Sequence, residues 1–460
     1  MTATSLTGLF FWGFLIAYGA LMYWLSPRTV TIGGFFNGED SQGRQASPLL
    51  LTTSIFISWI FAKSVTNAAN LGAEFGLVGG LAYATYWLSI PLCGLVIYRL
   101  RRRFQATSLV SFLTSNYGRS AALAFSAAIL IRLFNEVWSN TAVVGGYYGD
   151  SGSPAFIGAA LLFTAVTLAY SLRGGLRSSI LTDAAQAAIF VIALVWVLGL
   201  VLPNHSTAEL TSTSHWALNA GVDLFLVACL QLLSYPFHDP VLTDRGFISE
   251  EKSMLRAFTL AGVLGFAAIL AFSLIGVHAT LGGIEAGGNV PAALAKSLGV
   301  GALIVMTLVM ISAAGSTLDS TFSSLARLSG RELPALLQRD LGQKAIGVGM
   351  ATMLVFALLG NLPMLAGTDI LKATTISGTM VIGLAPVFLL HGFVRPTRLG
   401  FHLSFWTGIG LGVALTLGWI PQSWAIGDGR YALLLGTNLY GLILCTAGYL
   451  LPGMLTRKAV

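Results

Sequence analysis

Stretches of uninterrupted apolar residues, each on the order of 20 residues long, follow one another along almost the whole chain, which leaves very few folds open to it. They fall near 6–26, 48–78, 81–98, 120–146, 154–171, 182–202, 217–236, 256–277, 299–325, 344–360, 369–391, 399–420 and 432–451. A backbone in hydrocarbon must satisfy its own polar groups, so runs of this length read as membrane-spanning helices. Composition agrees: 55% of residues are hydrophobic and 9% charged, with a mean hydropathy of +0.79. The expectation is an all-α integral membrane protein of about 13 spans forming a single transmembrane domain over residues 1–460. The first run has neither a basic leading region nor a small-residue cleavage site, so it reads as a retained helix.

Charge placement predicts orientation. Of the 25 Lys and Arg residues, most fall in alternate loops, with Arg101, Arg102 and Arg103, Arg173 and Arg177, Arg245 and Lys252, Arg327 and Arg331, Arg395 and Arg398, and Arg457 and Lys458 on one side. Asp150, Glu209, Glu285, Asp369 and Asp428 mark the other. By the positive-inside rule the amino terminus is outside and the carboxyl terminus cytoplasmic, and the formal charge of +7 needs no nucleic-acid partner. Cys93, Cys229 and Cys445 lie inside apolar runs at unrelated spacings, with no disulfide or metal pattern. No phosphate loop, nucleophile triad or metal motif suggests an enzyme.

Two runs look breakable. The second half of 48–78 carries Ser64, Thr66, Asn67, Asn70 and Gly72, and 217–236 ends in Ser234, Tyr235, Pro236, His238, Asp239 and Pro240. Interrupted helices five spans apart mark inverted-repeat carriers, whose sites lie where backbone carbonyls are freed near the membrane midplane.

Ionisable residues within the runs are costly, about 2.5–3.5 kcal/mol each by insertion scales, so each asks for a partner or a function. Arg132 and Glu136 are four apart and can satisfy one another on one helical face, or contact a solute. Asp183, with Gln186 three residues on, fits a capping box at a helix start. Lys63 and Asp319 have no local partner at helical spacing, and the economical expectation is an ion pair between Lys63 and Asp319. The segment from Ala313 to Ser320, AAGSTLDS, combines small residues with hydroxyls that suit a hard cation, although such hydroxyls also bond back to their own helix.

The stretch from Tyr170 to Gln186, with Gly174, Gly175, Leu176, Thr182 and Asp183, resembles the signature of the sodium/solute symporters, which carry sugars, proline, pantothenate and sialic acid. Ala313, Ser316 and Thr317 match a second motif of that family. The resemblance implies a LeuT-like five-plus-five inverted repeat over residues 48–391, preceded by an extra helix and loop (1–47) and followed by two further helices (392–460). It implies a first sodium ion held by carbonyls of Ile57, Ile60 and Ala313 and hydroxyls of Ser316 and Thr317, and a second near Asp183, Asp319 and Ser320. It implies solute contacts at Ser64, Asn67, Arg132 and Glu136, with Tyr235 as an inner gate. The function expected from it is sodium-coupled symport of a small organic solute, such as an amino acid like proline or an organic anion, across a bacterial inner membrane. Lys63 is unusual for the family and opens an alternative, a proton-coupled or sodium-independent carrier in which the lysine replaces sodium. A transporter-like sensor is the remaining alternative. The expected partners are the solute and the lipid bilayer; the sequence does not specify an oligomeric state.

Overall fold

The computed structural model describes residues 3–366 and 377–455. The first part of the 369–391 run, Asp369, Arg457 and Lys458 lie outside the described residues. The labelled helices are α1 (Ala3–Leu25), α2 (Pro48–Ser58), α3 (Ala62–Ala84), α4 (Ser89–Phe104), α5 (Arg119–Gly145), α6 (Pro154–Val201) and α7 (Val222–Gln231). They continue with α8 (Pro240–Ile248), α9 (Glu251–Leu281), α10 (Val300–Arg327), α11 (Lys344–Leu359), α12 (Leu384–Leu389), α13 (Arg398–Thr416) and α14 (Ala432–Leu455). Among the described residues, eight helical stretches are long and apolar enough to cross a membrane, and α2, α7 and Phe11–Leu25 are shorter apolar helices.

Local chemistry explains where several helices start. Ser47, Ser153 and Asp239 each accept a backbone N–H as N-caps, and each is followed by proline at a position that needs no N–H donor. Glu250 caps α9 by accepting from the N–H groups of Lys252 and Ser253, which hold its carboxyl down to about 2. Arg101, Arg102 and Arg103 close α4, where cations complement exposed carbonyls.

Helix α9 lies along α3, and α10 lies along α6. Small residues set the first of these contacts: a Cβ on Gly72 would sit 2.0 Å from the Ser273 carbonyl oxygen, and one on Gly276 would sit 1.8 Å from that of Ala69. Backbones this close leave room only for glycine, a recurring solution where packing must replace the hydrophobic effect.

Three sequence boundaries shift. The predicted gap near residues 79–80 is instead a left-handed kink at Gly76, with φ 62°, and helix continues to Ala84. The segment 172–181, expected as a loop, is helical apart from a kink at Gly175, with φ 54°. Gly175 also approaches Phe35 so closely that a Cβ would lie 2.4 Å from its carbonyl oxygen. Consequently Asp183 stands two turns inside a helix, and the expected capping box with Gln186 does not form: Asp183 bonds to side chains of other helices, and Gln186 donates to the Tyr18 hydroxyl at 2.8 Å. The stretch Glu332 to Arg339, whose pattern reads as a short helix of its own, is helical only to Leu336, where Leu333–Leu336 continues α10 through Leu328–Glu332.

Candidate functional site

Both breakable runs are interrupted. The first break lies at Trp59–Phe61, earlier than the polar residues Ser64 to Gly72 suggested: helix runs through them, with Ser64 and Asn67 bonded to Tyr83 beyond the Gly76 kink and Asn70 bonded to the Gly288 carbonyl. Phe61 is extended, with ψ 144°, and the freed N–H of Ala62 donates to Asn140 Oδ1 of α5 at 3.2 Å. The second break spans Leu232 to Asp239 and contains a 3-10 turn, Tyr235–His238, before Pro240 starts α8.

Asp239 joins the two breaks. One carboxylate oxygen caps α8 through the Val241 N–H, at 3.1 Å. The other accepts from Trp59 Nε1 and from Arg132 Nη2, each at 2.9 Å. Arg132 also pairs with Glu136, as the spacing of four allows, and Glu136 in turn holds Lys63, whose Nζ is 2.6 Å from Oε1. Lys63 further donates to Ser139 at 3.1 Å. Two cations and two carboxylates therefore form one buried, balanced network between the breaks and α5, as burial of charge requires.

This corrects the expected ion pair. Lys63 occupies the first turn of α3 on the face toward α5, whereas Asp319 of α10 faces α6. Asp319 accepts from Ser179 at 2.7 Å and from Thr182 at 2.9 Å, and among the described residues no cation forms an ion pair with it. The idea that Lys63 takes the place of sodium loses its geometry as well, because its ammonium is bound to α5 rather than to the α10 hydroxyls.

Ile57 precedes the first break and Ile60 lies within it, both fully buried. Thr317 Oγ1 reaches both the Ser58 carbonyl, at 3.3 Å, and the Ala313 carbonyl, at 3.1 Å, so one hydroxyl links the broken helix to α10. Ser316 donates to Asp183. Thr317 thus lies against Ser58, the residue after Ile57, whose carbonyl accepts from the Ile60 N–H at 3.0 Å.

Asp183 and Ser320 converge on a guanidinium. Arg245 Nη2 is 3.1 Å from Asp183 Oδ2 and 2.8 Å from Ser320 Oγ; Nε donates to Ser54 at 2.7 Å and Nη1 to the Val241 carbonyl at 2.6 Å. Loop charge placed Arg245 at the cytoplasmic surface, yet its exposure is 0%. Five residues after Pro240, it belongs to α8, the helix that re-forms after the second break. Its position between Pro240 and the excess of buried carboxylates was the signal available for it.

Next to the charge network, Trp59, Phe61, Ser64, Tyr83, Tyr86, Trp87 and Tyr235 enclose a cavity of about 20 Å³. That is room for about one water molecule. The Tyr83 hydroxyl donates to Ser64 at 3.3 Å and accepts from Asn67 at 3.1 Å. Arg132 lies 5.5 Å from the Tyr235 ring centre and 5.4 Å from that of Phe61. Of the solute residues expected, Ser64 and Tyr235 line this cavity, Asn67 stands behind Tyr83, and Arg132 and Glu136 belong to the charge network. The aromatic wall of Trp59, Tyr83, Tyr86 and Trp87 was not anticipated.

No family model matches the chain. The sodium/pantothenate symporter of Escherichia coli (strain K12) is 22% identical over 189 residues, covering 40% of this chain and 39% of that relative's length. The solved structure of a Na+-coupled sialic acid symporter, in a substrate-bound outward-open state, matches with a TM-score of 0.74 and 13% identity over 98% of both chains. Mhp1, a nucleobase-cation-symport-1 family transporter solved in a closed conformation with bromovinylhydantoin bound, matches with a TM-score of 0.55 and 14% identity over 94% of both. These structures share the all-helical LeuT-type fold with this chain. The matched proteins are transporters, not enzymes.

Proposed function

We propose that this protein is a secondary transporter that couples uptake of a small organic solute to the sodium gradient by alternating access. The observation that carries the reading is the meeting of a broken helix with a hydroxyl pair: Thr317 beside the carbonyls of Ser58 and Ala313, with Ser316 on the same turn of α10. Carbonyls released by a helix break, together with hydroxyls, form a hard oxygen site of the kind an alkali cation requires. Sodium would be held there by the carbonyls of Ile57, Ile60 and Ala313 and by Ser316 and Thr317. The solute would enter the aromatic cavity, whose Ser64 and Tyr83 hydroxyls supply polar contacts.

The charge network narrows the solute. Lys63 and Arg132 are both committed to carboxylates, so neither of these two cations beside the cavity asks for an organic anion. A neutral or zwitterionic solute suits an aromatic cavity beside a balanced network, and an amino acid such as proline remains within that class. The proposed topology has about 13 spans, an external amino terminus and a cytoplasmic carboxyl terminus in a bacterial inner membrane. A second reading, proton coupling, rests on Asp319, a buried carboxylate without an ion-pair partner among the described residues.

The test is thermal stabilisation and proteoliposome uptake over a panel of amino acids, sugars, urea and monocarboxylates, with sodium chloride exchanged for choline chloride. Sodium-dependent uptake of one class supports the reading. Uptake that ignores sodium but follows an imposed proton gradient supports the Asp319 reading instead.

A further inference from the structure

The buried charges divide into two groups that differ in their sum. In the network at the helix breaks, Lys63 and Arg132 balance Glu136 and Asp239, with His238 close by. Between α2, α6, α8 and α10, Arg245 pairs with Asp183 and is linked to Asp319 through the hydroxyls of Ser179 and Ser320, so two carboxylates share one guanidinium. The other groups around them are neutral hydroxyls: Ser54 of α2, Ser179 and Thr182 of α6, and Ser316 and Ser320 of α10, with Tyr18 and Tyr170 behind. Asp244, the nearest carboxylate on α8, is bound to Arg327 at 3.4 Å.

A pocket of two carboxylates and several hydroxyls would, without Arg245, accommodate two monovalent cations when the adjacent Ser316 and Thr317 are included. Arg245 removes that capacity. Its Nη2 stands among Asp183, Ser179 and Ser320, at 3.1, 3.3 and 2.8 Å, and thereby uses the oxygen donors a second ion would need. Nε and Nη1 are fixed by Ser54 and by the Val241 carbonyl in its own helix, which holds the guanidinium in place. Planar, permanently charged and multiply hydrogen-bonded, an arginine is suited to such a role.

We propose that the Arg245 guanidinium is a built-in cation standing where a second sodium ion would bind, and that the single remaining carboxylate charge limits the protein to one sodium ion per cycle. The proposal rests on the sodium reading above and fixes its stoichiometry. It also ties the ion site to the second helix break, because Arg245 belongs to α8: movement of α8 would shift the charge that faces Asp183.

Binding of ²²Na+ to the purified full-length protein, measured by scintillation proximity, tests it without knowledge of the solute. Wild type is expected to saturate at one ion per molecule with a Hill coefficient near one. Arg245→Gln is expected to raise the capacity about twofold by vacating the guanidinium position, and Arg245→Lys to leave it at one. In Arg245→Ala, millimolar guanidinium chloride is expected to return the capacity to that of wild type. Two ions bound by wild type, or an unchanged capacity in a folded Arg245→Gln protein, would overturn the proposal and leave the sodium reading standing. Absence of any saturable ²²Na+ binding by wild type would overturn both. The wild-type capacity decides the matter even if the glutamine variant fails to fold.

Discussion

The indole of Trp59 donates to the carboxylate of Asp239 at 2.9 Å, so the two interrupted helices are tied to each other at their breaks. The bond explains why neither break unravels further: the residue that caps α8 also anchors the irregular segment between α2 and α3. Loss of one hydrogen bond to a charged group typically costs about 1.5–3 kcal/mol, and leaving a buried ion without its partner about 3–5 kcal/mol. Trp59→Phe is therefore expected to destabilise the protein less than Asp239→Ala, which also takes from Arg132 one of its two carboxylate partners. Chemical denaturation in detergent micelles would rank the two, and the reverse order would refute the assignment of Asp239 as the shared anchor.

Glu136 serves two cations, Arg132 and Lys63, whereas Lys63 serves only Glu136 among the carboxylates. Glu136→Gln should therefore cost more stability than Lys63→Met, and the combined variant should recover part of the loss. By the same geometry, a double-mutant cycle between Lys63 and Asp319 should show coupling within about 0.5 kcal/mol of zero. Strong coupling there would mean that the two side chains meet in a populated state.

Thr317→Ala removes the hydroxyl shared between α2 and α10 without adding bulk. The expected outcome is a folded protein whose sodium-induced rise in melting temperature needs at least about tenfold more salt, since ligand stabilisation follows the ratio of concentration to dissociation constant. An unchanged sodium titration would remove Thr317 from the proposed site.

Asp319→Asn abolishes the excess negative charge but keeps an acceptor for Ser179 and Thr182. Sodium affinity should fall by about tenfold or more, a change of about 1.4 kcal/mol, while the melting temperature in choline chloride holds or rises. A loss of stability with intact sodium affinity would assign Asp319 to the scaffold instead.

Gly175→Ala places a side chain on a left-handed backbone and against Phe35, so it should cost more than the roughly 1–2 kcal/mol of the conformation alone. Gly43→Ala, also left-handed with φ 75° but in open space, should cost only that smaller amount. Comparable stability of the two variants would mean that the contact between α6 and Phe35 can relax.

The membrane class and the two interruptions were legible because apolar runs and Pro-rich or polar breaks are local signals. The breaks' positions were less so: Ser64 and Asn67 looked like breakers until Tyr83, beyond the Gly76 kink of the same helix, supplied their partner. The partnership of Lys63 with Glu136 depends on how α3 rotates after the break, which spacing along the chain does not encode. Arg245 was misread for a related reason. A rule that counts cations near the ends of apolar runs cannot distinguish a loop from a helix that resumes inside the protein, and only the location of Asp183 and Ser320 reveals which it is. The Tyr170 to Gln186 segment carried the family resemblance but not its own shape, since a kinked helix and a loop present the same diglycine.

Tyr83 offers a last consequence. Its hydroxyl already satisfies Ser64 and Asn67 inside a cavity no larger than a water molecule, so an arriving solute must displace an internal bridge before it can settle. A guest with its own hydroxyl, amide or ammonium restores those two broken bonds, whereas a hydrocarbon of equal size leaves them broken at about 1–3 kcal/mol per stranded group. Discrimination would then come from what the wrong molecule fails to repair.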